Sequence, residues 1–512
     1  MSSDAKIVVV GAGFAGLAAA ASLVQAGFQN VKILEAKERI GGRVCTTKPF
    51  TENIIEHGAN WIHGQKGNCL YKLAKKHNLL AEKALEESSE NSRDYFFMED
   101  GKCLPEELVD QVTSLFEKYT DKAFDTVLPG KYKNLSLGDY LDLSFAKSDL
   151  ASSKDGSRIF EWCKRNECTD EATSSLYEVS AAQESEYVTL DGEFHNTLGP
   201  GGYQAILDII LKDIPSGTVL TNTAVKSIHW DLETNSHGKE GKEHNHPVRV
   251  ICENDLTIDA DHVIVTVSLG VLKQQARTMF EPALPKPKLG AIERLGFGTV
   301  DKIFLCFSQR FWPEDCEGIQ LVWNEGPEDK AVYSNKKEEE KEEEEEEEEK
   351  EEEKEEEEED DGDDAWKETW FKKISGFDAV ARHPTVLCGW ITGREALHME
   401  TLQDSEIGDV CVSLLRSFTS WPVPDVSKVL ITRWGHDSNV YGSYTVIPKG
   451  VNGIISQKAL AEPVPGMKAS DSKPLQVLFA GESTHLQFYT TTHGAYMSGV
   501  REAERLIDHY SD

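Results

Sequence analysis

The chain has 512 residues, a formal net charge of −35, a hydrophobic fraction of 39% and an aromatic fraction of 9%. This composition suffices for globular cores, and the length favours two domains over one. So acidic a chain argues against nucleic-acid binding and suits a cationic ligand. No run of 18 apolar residues occurs, so we expect no membrane-spanning helix and no secretory signal peptide.

About half of the negative charge lies in one low-complexity segment. Residues 336–364 contain 23 acidic residues and 5 lysines, a net −18 of the total −35. Such a segment cannot bury apolar surface, so we expect an insertion at the surface. Binding of a basic protein partner by this segment is the open alternative.

Cysteine and histidine usage gives no metal signature. The ten cysteines are scattered and form no CxxC pair, which favours a reduced intracellular compartment and no zinc site. Residues 237–247 contain three histidines. We expect this polar segment to be a loop, because no cysteine or carboxylate ligand pattern accompanies the histidines.

The first 43 residues predict a dinucleotide-binding βαβ unit. Residues 7–10 form an apolar strand before a GxGxxG motif, in which Gly11 permits the tight turn, Gly13 lets a pyrophosphate approach, and Gly16 lets the helix pack. Glu35 closes the second strand, where its carboxylate suits a ribose diol and repels a 2′-phosphate. The ligand is therefore predicted to be FAD or NAD rather than NADP.

A second glycine pair distinguishes between these two cofactors. Gly41 and Gly42 precede Arg43, which supplies a further backbone approach and a fixed cation for a phosphate. This continuation favours FAD. A surface turn with a solvated arginine is the alternative.

The remaining elements alternate between helical and strand patterns. Apolar residues at three-and-four spacing predict helices, whereas short apolar or alternating runs predict strands. The predicted helices are 71–80, 105–119, 135–145, 157–180, 201–213 and one beginning near 492, and the predicted strands are 218–220, 225–230, 262–270, 302–307, 385–391 and 476–482.

This order of elements predicts an α/β fold. A Rossmann-like FAD-binding domain is assembled from residues 1–85, 201–275 and 430–512, because apolar strands typical of a parallel sheet recur in these segments. Residues 86–200 and 276–429 are expected to form a mixed α+β substrate-binding domain.

Several motifs resemble those of the flavin-containing amine oxidases, and within them the animal polyamine oxidases. The resemblance spans nearly the whole chain apart from the acidic insertion and the 237–247 loop. The stretches that carry it are residues 11–16 with Glu35 and Arg43, 56–64 (EHGANWIHG), 301–305 (DKIFL), 479–485 (FAGESTH) and 491–495 (TTHGA).

The resemblance implies FAD, bound noncovalently because no cysteine lies near Thr491. It implies which residues hold the adenosine and phosphates, line the flavin, contribute backbone beside the adenine, and hold the ribityl chain. With the glycine motif, the expected FAD-binding residues are Gly11, Gly13, Ala15, Gly16, Glu35, Gly42, Arg43, Asn60, Trp61, Val225, Glu482, Thr491 and Thr492.

The resemblance also implies two catalytic residues. His63 matches the active-site histidine, and we expect it to titrate near neutrality and to position or deprotonate a substrate nitrogen. Lys302 matches the lysine that reaches flavin N5 through a water. A histidine satisfied in the core and a lysine at a strand edge are the alternatives.

A polyamine substrate requires carboxylates for its ammonium groups and aromatic walls near the flavin. Glu193 matches the substrate-facing acid of the family, and Glu184 is an expected neighbour. Expected walls are Ser443, Tyr444 and Tyr489. Val446 and Tyr441 stand where the family often has Tyr and Arg, which leaves the preferred polyamine open.

The expected activity is oxidation of N1-acetylspermine or N1-acetylspermidine by O₂ to a shorter polyamine, 3-acetamidopropanal and H₂O₂. Oxidation of spermine to spermidine and 3-aminopropanal is the alternative. Two further alternatives are an NAD-dependent dehydrogenase and a noncatalytic acidic interaction protein on the same fold. Cytoplasm is the expected compartment and the peroxisome the alternative, since the chain ends without a Ser-Lys-Leu address.

Overall fold

The computed structural model describes residues 3–81, 92–125, 132, 134–181, 187–232, 246–324, 365–466 and 474–511. Glu184, the acidic segment 336–364 and residues 237–245 lie outside this described part. The chain divides into two compact units. Unit 1 consists of Met1–Glu90, Gln183–Gly298 and Trp434–Asp512, and unit 2 of Asn91–Ala182 and Thr299–Arg433.

The helices and strands are numbered in chain order over the described residues. The strands are β1 Ser3–Val10, β2 Phe28–Leu34, β3 Thr46–Thr47, β4 Ile55–Glu56, β5 Arg93–Met98, β6 Val219–Leu220, β7 Val225–His229, β8 Val248–Cys252, β9 Thr257–Ala260, β10 His262–Val265, β11 Phe280–Glu281, β12 Gly296–Gly298, β13 Val300–Phe307, β14 Cys316–Val322, β15 Gly376–Ala379, β16 Val386–Thr392, β17 Val426–Ile431, β18 Tyr444–Val446 and β19 Val477–Phe479. The α-helices are α1 Phe14–Gln25, α2 Cys69–Lys76, α3 Glu106–Asp125, α4 Leu137–Phe145, α5 Lys154–Asp170, α6 Gly202–Leu211, α7 Leu269–Met279, α8 Lys286–Arg294, α9 Ala365–Glu368, α10 Gly393–Met399, α11 Asp404–Phe418, α12 Gly453–Ala461 and α13 Thr492–His509, and short 3₁₀ turns cover Asp149–Ser152, Trp370–Lys373 and Glu482–Thr484.

Unit 1 is organised around a five-stranded sheet in the order β19-β10-β1-β2-β6. Every neighbouring pair in this sheet is parallel. Residues 7–10, 262–265 and 477–479 are buried along their whole length, as strands covered on both faces must be. The parallel sheet and its crossover helix α1 confirm the predicted α/β fold.

The helix α1 is in backbone contact with two other segments of unit 1. A Cβ atom on Gly16 would lie 2.0 Å from the carbonyl oxygen of Gly11, and one on Gly499 of α13 would lie 2.0 Å from that of Ala15. Glycine is therefore required on both sides of the helix, because any side chain would overlap main-chain atoms.

Smaller sheets complete unit 1. A four-stranded sheet has the order β11-β7-β8-β9, and the pairs β12-β18 and β3-β4 are two-stranded. In the β12-β18 pair, Phe297 is opposite Thr445 and Gly298 is opposite Tyr444. This pairing fixes Ser443 and Tyr444 beside Gly298, the last residue of β12.

Unit 2 contains one six-stranded sheet in the order β17-β13-β16-β15-β14-β5. Side chains alternate between its two faces along each strand. One face carries apolar residues, among them Ile303, Ile319 and Phe377, that pack in one core cluster with α10 and α11. The other face carries Lys302 and several polar side chains.

The compact units differ from the predicted domain boundaries at two segments. Residues 187–200 and 276–298 lie in unit 1, whereas the sequence placed them with the second domain. Asn196 and Ile62 exchange backbone hydrogen bonds of 3.0 Å in both directions, and β12 pairs with β18. Sequence periodicity carries no information about such long-range pairing.

Two predicted elements also end elsewhere. The helix expected over 157–180 spans Lys154–Asp170, and Ala172 adopts a positive φ of 49° after it. The strand expected to continue to a turn at Gly270 ends at Val265. There Ser268 caps α7 by accepting the amide hydrogen of Val271 at 3.0 Å, so Gly270 lies inside a helix.

The contact between α1 and α13 predicts a sterically costly substitution. Gly499→Ala is expected to lower the free energy of unfolding by about 1–3 kcal/mol, because the added methyl overlaps a carbonyl oxygen that cannot rotate away. Helix propensity alone would favour alanine by about 1 kcal/mol, the opposite sign. Urea unfolding measures the difference. Glu504→Ala, at an exposed position of the same helix, is the control and should change stability by less than about 0.5 kcal/mol.

Candidate active site

The turn from β1 into α1 is built by glycine. Gly11 has a φ of +103°, a conformation that side chains other than glycine rarely adopt. Its amide donates to the carbonyl of Leu34 at 2.8 Å, which ties the turn to the end of β2. The first turn of α1 is thereby aimed along the carboxyl edge of the parallel sheet.

An opening lined by backbone lies at the N-terminus of α1. A Cβ atom on Gly13 would meet no protein atom nearer than 3.8 Å, the carbonyl oxygen of Gly41. Gly41 and Gly42 have φ values of +103° and +60°, so side chains are disfavoured on this side too. Free helix amides beside an opening of this kind fit a pyrophosphate.

Glu35 lies at the end of β2 beside this opening. It is 6% exposed, and its two carboxylate oxygens accept the amides of Ala12 at 2.8 Å and Lys37 at 2.9 Å. Each oxygen retains lone-pair capacity for a ribose hydroxyl. The amide of Thr223 donates to the Glu35 carbonyl at 2.8 Å, which brings the start of β7, with Val225, to the same edge.

Arg43 and Glu482 form an ion pair of 2.9 Å. The guanidinium of Arg43 also donates to the carbonyl of Ser443 at 2.7 Å. Glu482 is buried and accepts the Thr445 hydroxyl at 3.1 Å and the Thr490 amide at 2.9 Å. The pair therefore joins four segments of unit 1, and the Arg43 charge is partly balanced by a protein carboxylate.

The residues expected at the flavin are tied to Tyr203. Its hydroxyl donates to the carbonyl of Trp61 at 2.7 Å and lies 3.1 Å from the Thr492 hydroxyl. Thr491 caps α13 by accepting the Gly494 amide at 3.0 Å. The segment of Asn60 and Trp61 and the N-terminus of α13 are thus brought together around one phenol.

Imidazole and aromatic rings form a wall around His63. The His63 ring centroid lies 4.5 Å from that of Phe194 and 5.7 Å from that of His195, and Trp61 lies 4.7 Å from His195. Phe194 and His195 keep solvent-exposed surface. We call His63, Trp61, Phe194 and His195 the ring wall.

The ring wall is electrically neutral at physiological pH. Burial, and secondly repulsion from His195, lower the pKa of His63 to about 4. Burial also lowers the pKa of His195. The expectation that His63 titrates near neutrality is wrong, because it neglected the burial that follows from the 187–200 segment packing against it. Nδ1 of His63 has no hydrogen-bond partner among the described residues.

Two further histidines were missed as site residues by the sequence analysis. Burial first, then repulsion from His63 and His485, lowers the pKa of His493 to about 3. Burial and then Arg501 lower the pKa of His485 to about 4. Both lie in the 479–495 stretches that carried the resemblance, so their position in those motifs was the available signal.

The structure places one expected substrate-side residue next to the ring wall in the chain and others elsewhere in unit 1. Glu193 is exposed and directly precedes Phe194, and its carbonyl accepts the Asn196 side chain at 2.6 Å. Tyr489 is buried and packs edge-to-face on Tyr187 at 5.1 Å. The carbonyl of Ser443 accepts the Arg43 guanidinium at 2.7 Å, which places Ser443 at the Arg43–Glu482 pair.

Lys302 lies on β13 of unit 2 and is 4% exposed. Its amide donates to the Thr432 hydroxyl at 2.8 Å. Its Nζ lies 4.7 Å from the ring centroid of Trp390 on β16, opposite which it stands in the strand register. The lysine is thus a buried cation over an indole face.

Neither a metal-ligand cluster nor a membrane-spanning helix is found among the described residues. No group of three or more His, Cys, Asp or Glu side chains there is arranged to hold a metal ion. No helix in the described ranges is both long and apolar enough to cross a membrane.

Comparison with known proteins gives one consistent family. The family described as flavin containing amine oxidoreductase matches residues 14–507. A Bos taurus peroxisomal N(1)-acetyl-spermine/spermidine oxidase is 35% identical over 98% of this chain and 94% of its own length. The Homo sapiens protein of the same name is 34% identical over the same shares.

A solved structure has the same fold. A putrescine oxidase redesigned at its cofactor-binding site superposes with a TM-score of 0.65, covers 98% of this chain and 99% of its own, and is 17% identical. At that identity the likeness concerns the fold alone.

Glu35 generates a prediction about cofactor retention. Glu35→Ala is expected to weaken flavin binding about 10- to 100-fold, because it removes the ribose acceptor and leaves two buried amides unpaired. The flavin-to-protein absorbance ratio after desalting measures retention. Glu38→Ala, exposed three residues along the same loop, should retain the parental ratio. Equal ratios in both variants would remove Glu35 from the cofactor site.

The buried histidines predict loss of stability in acid. Their folded pKa values of about 3 to 4 lie below the ordinary 6.5, so between these values the unfolded chain binds more protons and acid favours unfolding. The apparent melting temperature should fall by on the order of 5 °C from pH 7 to pH 5. His493→Gln should reduce this fall. The exposed His77→Gln is the control, and an unchanged fall in His493→Gln would contradict the assignment.

Proposed function

Because the chain belongs to the flavin-containing amine oxidoreductases, we propose that this FAD-dependent enzyme oxidises polyamines, with N1-acetylspermine and N1-acetylspermidine as its substrates. The acetamidopropyl carbon that is bonded to the secondary amine would lose a hydride to the flavin, and the amine nitrogen would lose a proton, which leaves a C=N double bond between them. Water then hydrolyses the imine to a shorter polyamine and 3-acetamidopropanal, and O₂ takes two electrons and two protons to become H₂O₂. Two relatives at 34–35% identity whose names give this activity support the proposal.

The neutral ring wall is the observation that carries the proposal. The amine that loses hydride must be uncharged, and a positively charged imidazole beside it would repel the remaining ammonium groups of a polyamine. A pKa of about 4 keeps His63 neutral, and a neutral imidazole keeps one ring nitrogen that can accept an amine N–H. The Trp61 and Phe194 rings offer faces to the remaining cations.

The residues of unit 1 fit noncovalently bound FAD. Glu35 would accept the ribose hydroxyls, Gly13 and Gly42 would admit the pyrophosphate, and Gly11 and Gly16 permit the tight turn and the close packing of the helix beside it. We propose that Arg43 contributes through its ion pair with Glu482, which orders the segment of Thr490 to Thr492. When bound, FAD supplies the hydride acceptor, and the protein supplies orientation and electrostatics.

Spermine is the second candidate substrate. Glu193 is exposed and directly precedes Phe194 of the ring wall, and a carboxylate beside that wall would suit the terminal ammonium of an unacetylated polyamine better than a neutral acetamide. Glu193→Gln should therefore raise the KM of spermine more than that of N1-acetylspermine. Equal effects on the two substrates would remove this argument for spermine.

One steady-state comparison tests the proposed function. Initial rates of H₂O₂ release are measured with N1-acetylspermine, spermine and benzylamine, and the aldehyde product is identified by mass spectrometry. The proposal expects the highest kcat/KM with N1-acetylspermine and 3-acetamidopropanal as product. The noncatalytic alternative expects no peroxide with any amine, and a higher kcat/KM for benzylamine would overturn the polyamine assignment.

We propose that Lys302 acts on the half-reactions of the flavin, as the family resemblance implies. Lys302→Met keeps the side-chain length and removes the charge, and we expect a loss on the order of 10²-fold in anaerobic flavin reduction or in reoxidation. Stopped-flow absorbance separates the two steps. Lys372→Met is the matched control, since Lys372 also lies over an indole, 5.5 Å from Trp323, but is exposed. Parental rates in Lys302→Met would exclude the lysine from the mechanism.

A further inference from the structure

The face of the unit 2 sheet that carries Lys302 also carries a row of polar side chains. Lys302 is opposite Trp390 in the β13-β16 register. Cys388, two residues before Trp390, is opposite Asp378 on β15. Asp378 is opposite Gly318 on β14, which in turn is opposite Asp94 on β5. Register partners and residues two apart share a face, so the row crosses five strands on one side of the sheet.

Glycines make room for this row. A Cβ atom on Gly318 would lie 2.4 Å from a carboxylate oxygen of Asp94, 2.5 Å from Nε2 of Gln320 and 3.0 Å from a carboxylate oxygen of Asp378. One on Gly376 would lie 2.0 Å from Oε1 of Gln320. The two carboxyl groups and the amide therefore converge over the space that the glycines leave.

Hydrogen bonds and one cation–π contact connect the row to Lys302. Nε2 of Gln320 donates to Asp378 at 3.1 Å and also bonds Asp94. The indole N–H of Trp390 donates to the Asp378 carboxylate. The face of the same indole lies 4.7 Å from Nζ of Lys302. Asp378 thus holds the edge of the ring whose face carries the ammonium.

We propose that Asp378 is a positioning residue for Lys302, that it acts through the indole of Trp390, and that its ionisation makes the Lys302-dependent step faster as pH rises. This inference rests on the role given to Lys302 in the proposed function. An ionised carboxylate that accepts an indole N–H is a stronger acceptor than a protonated one. The ring is then held more firmly and presents a more negative face to the ammonium.

Ionisation of Asp378 falls in the physiological range. Burial first, and then repulsion from Asp94, raise the pKa of Asp378 to about 7. Asp94 as a whole is an exposed residue, but its carboxyl group reaches the space over Gly318. Burial of the carboxyl group there raises the pKa of Asp94. The opposing influences on Asp378 are the hydrogen bonds from Gln320 and Trp390.

The other charged or titratable groups near Asp378 come from three elements. Glu317 on β14 adds a small repulsion. Cys388 on β16 is a buried thiol whose pKa is raised by its burial, so it stays neutral. Arg165 of α5, the helix that packs on β14 and β16, donates from its guanidinium to the Leu321 carbonyl at 2.6 Å. Among the described residues around Asp378, the carboxyl groups of Asp94 and Asp378 are therefore the pair whose protonation changes.

The test measures reoxidation of the flavin without any amine. The holoenzyme is photoreduced anaerobically and mixed with O₂ between pH 6 and pH 9, and the rate is followed by flavin absorbance. We expect the parental rate to rise about tenfold with a midpoint near pH 7, as one positioned group would give. Asp378→Asn and Trp390→Phe should hold the low-pH rate throughout. Glu314→Gln, an exposed acid before β14, is the control and should follow the parent.

A double-mutant cycle separates this inference from the proposed function. If Asp378 acts through Lys302, Asp378→Asn should add less than about twofold to Lys302→Met. A slow Lys302→Met with a parental Asp378→Asn profile overturns the inference and leaves the role of Lys302 intact. Independent, multiplying effects also overturn it. Parental rates in Lys302→Met remove the role of Lys302 and the inference together, whereas peroxide release from N1-acetylspermine still decides the proposed substrate.

The stability of the holoenzyme gives a readout that is not activity. Because the folded state keeps a proton on Asp378 that the unfolded chain releases at lower pH, the contribution of Asp378 to stability falls as pH rises from about 4 to about 7, opposite in sign to the contribution of the buried histidines. Asp378→Asn removes this loss, so its melting temperature should gain on the parent between pH 5 and pH 8. A difference that stays constant over this range would overturn the ionisation of Asp378.

Discussion

The architecture of unit 1 depends on main-chain contact along one helix. The helix α1 approaches the glycine turn so closely that a Cβ on Gly16 would lie 2.0 Å from the Gly11 carbonyl oxygen, and α13 approaches it equally closely at Gly499. Close packing of this kind fixes the axis of α1 relative to β1 and to α13. The opening at the helix N-terminus and the Thr491 cap of α13 therefore have a fixed separation within the unit.

Buried carboxylates hold the rest of that site together. Glu35, Glu56 and Glu482 are each at most 9% exposed. Glu35 and Glu56 accept backbone amides from distant segments, and Glu482 accepts a nearby amide and pairs with the distant Arg43. A buried charge is tolerated only when it is paired or hydrogen-bonded. Each carboxylate therefore stabilises one arrangement of the chain around it. Removing its partners would leave an unpaired buried charge, which destabilises the folded state.

The two faces of the unit 2 sheet differ: one packs in the apolar core, and the other carries polar and charged side chains. Ile303 and Phe377 pack in the apolar cluster, whereas the neighbouring Lys302 and Asp378 lie on the polar face. Period-two alternation makes this division automatic once the register is set. A buried lysine and a partly buried acid in one row are costly unless they are connected, and the indole of Trp390 provides that connection.

The sequence by itself determined the βαβ unit, the α/β fold and the choice of FAD. Glycine spacing, apolar strands and the acid at position 35 are local properties with a direct physical meaning. Of the residues expected at the cofactor, the glycines, Glu35 and Arg43 follow from this reasoning, whereas the family resemblance supplied the rest, namely Ala15, Asn60, Trp61, Val225, Glu482, Thr491 and Thr492.

Only the tertiary structure decided the neutral state of His63, the inclusion of residues 187–200 and 276–298 in unit 1, and the row from Asp94 to Lys302. A pKa depends on burial and on neighbours from distant segments, and the pairing of Asn196 with Ile62 is one such contact. Strand register across β13, β16, β15, β14 and β5 is likewise set by long-range packing. Local periodicity carries neither quantity, because both depend on which segments meet in space.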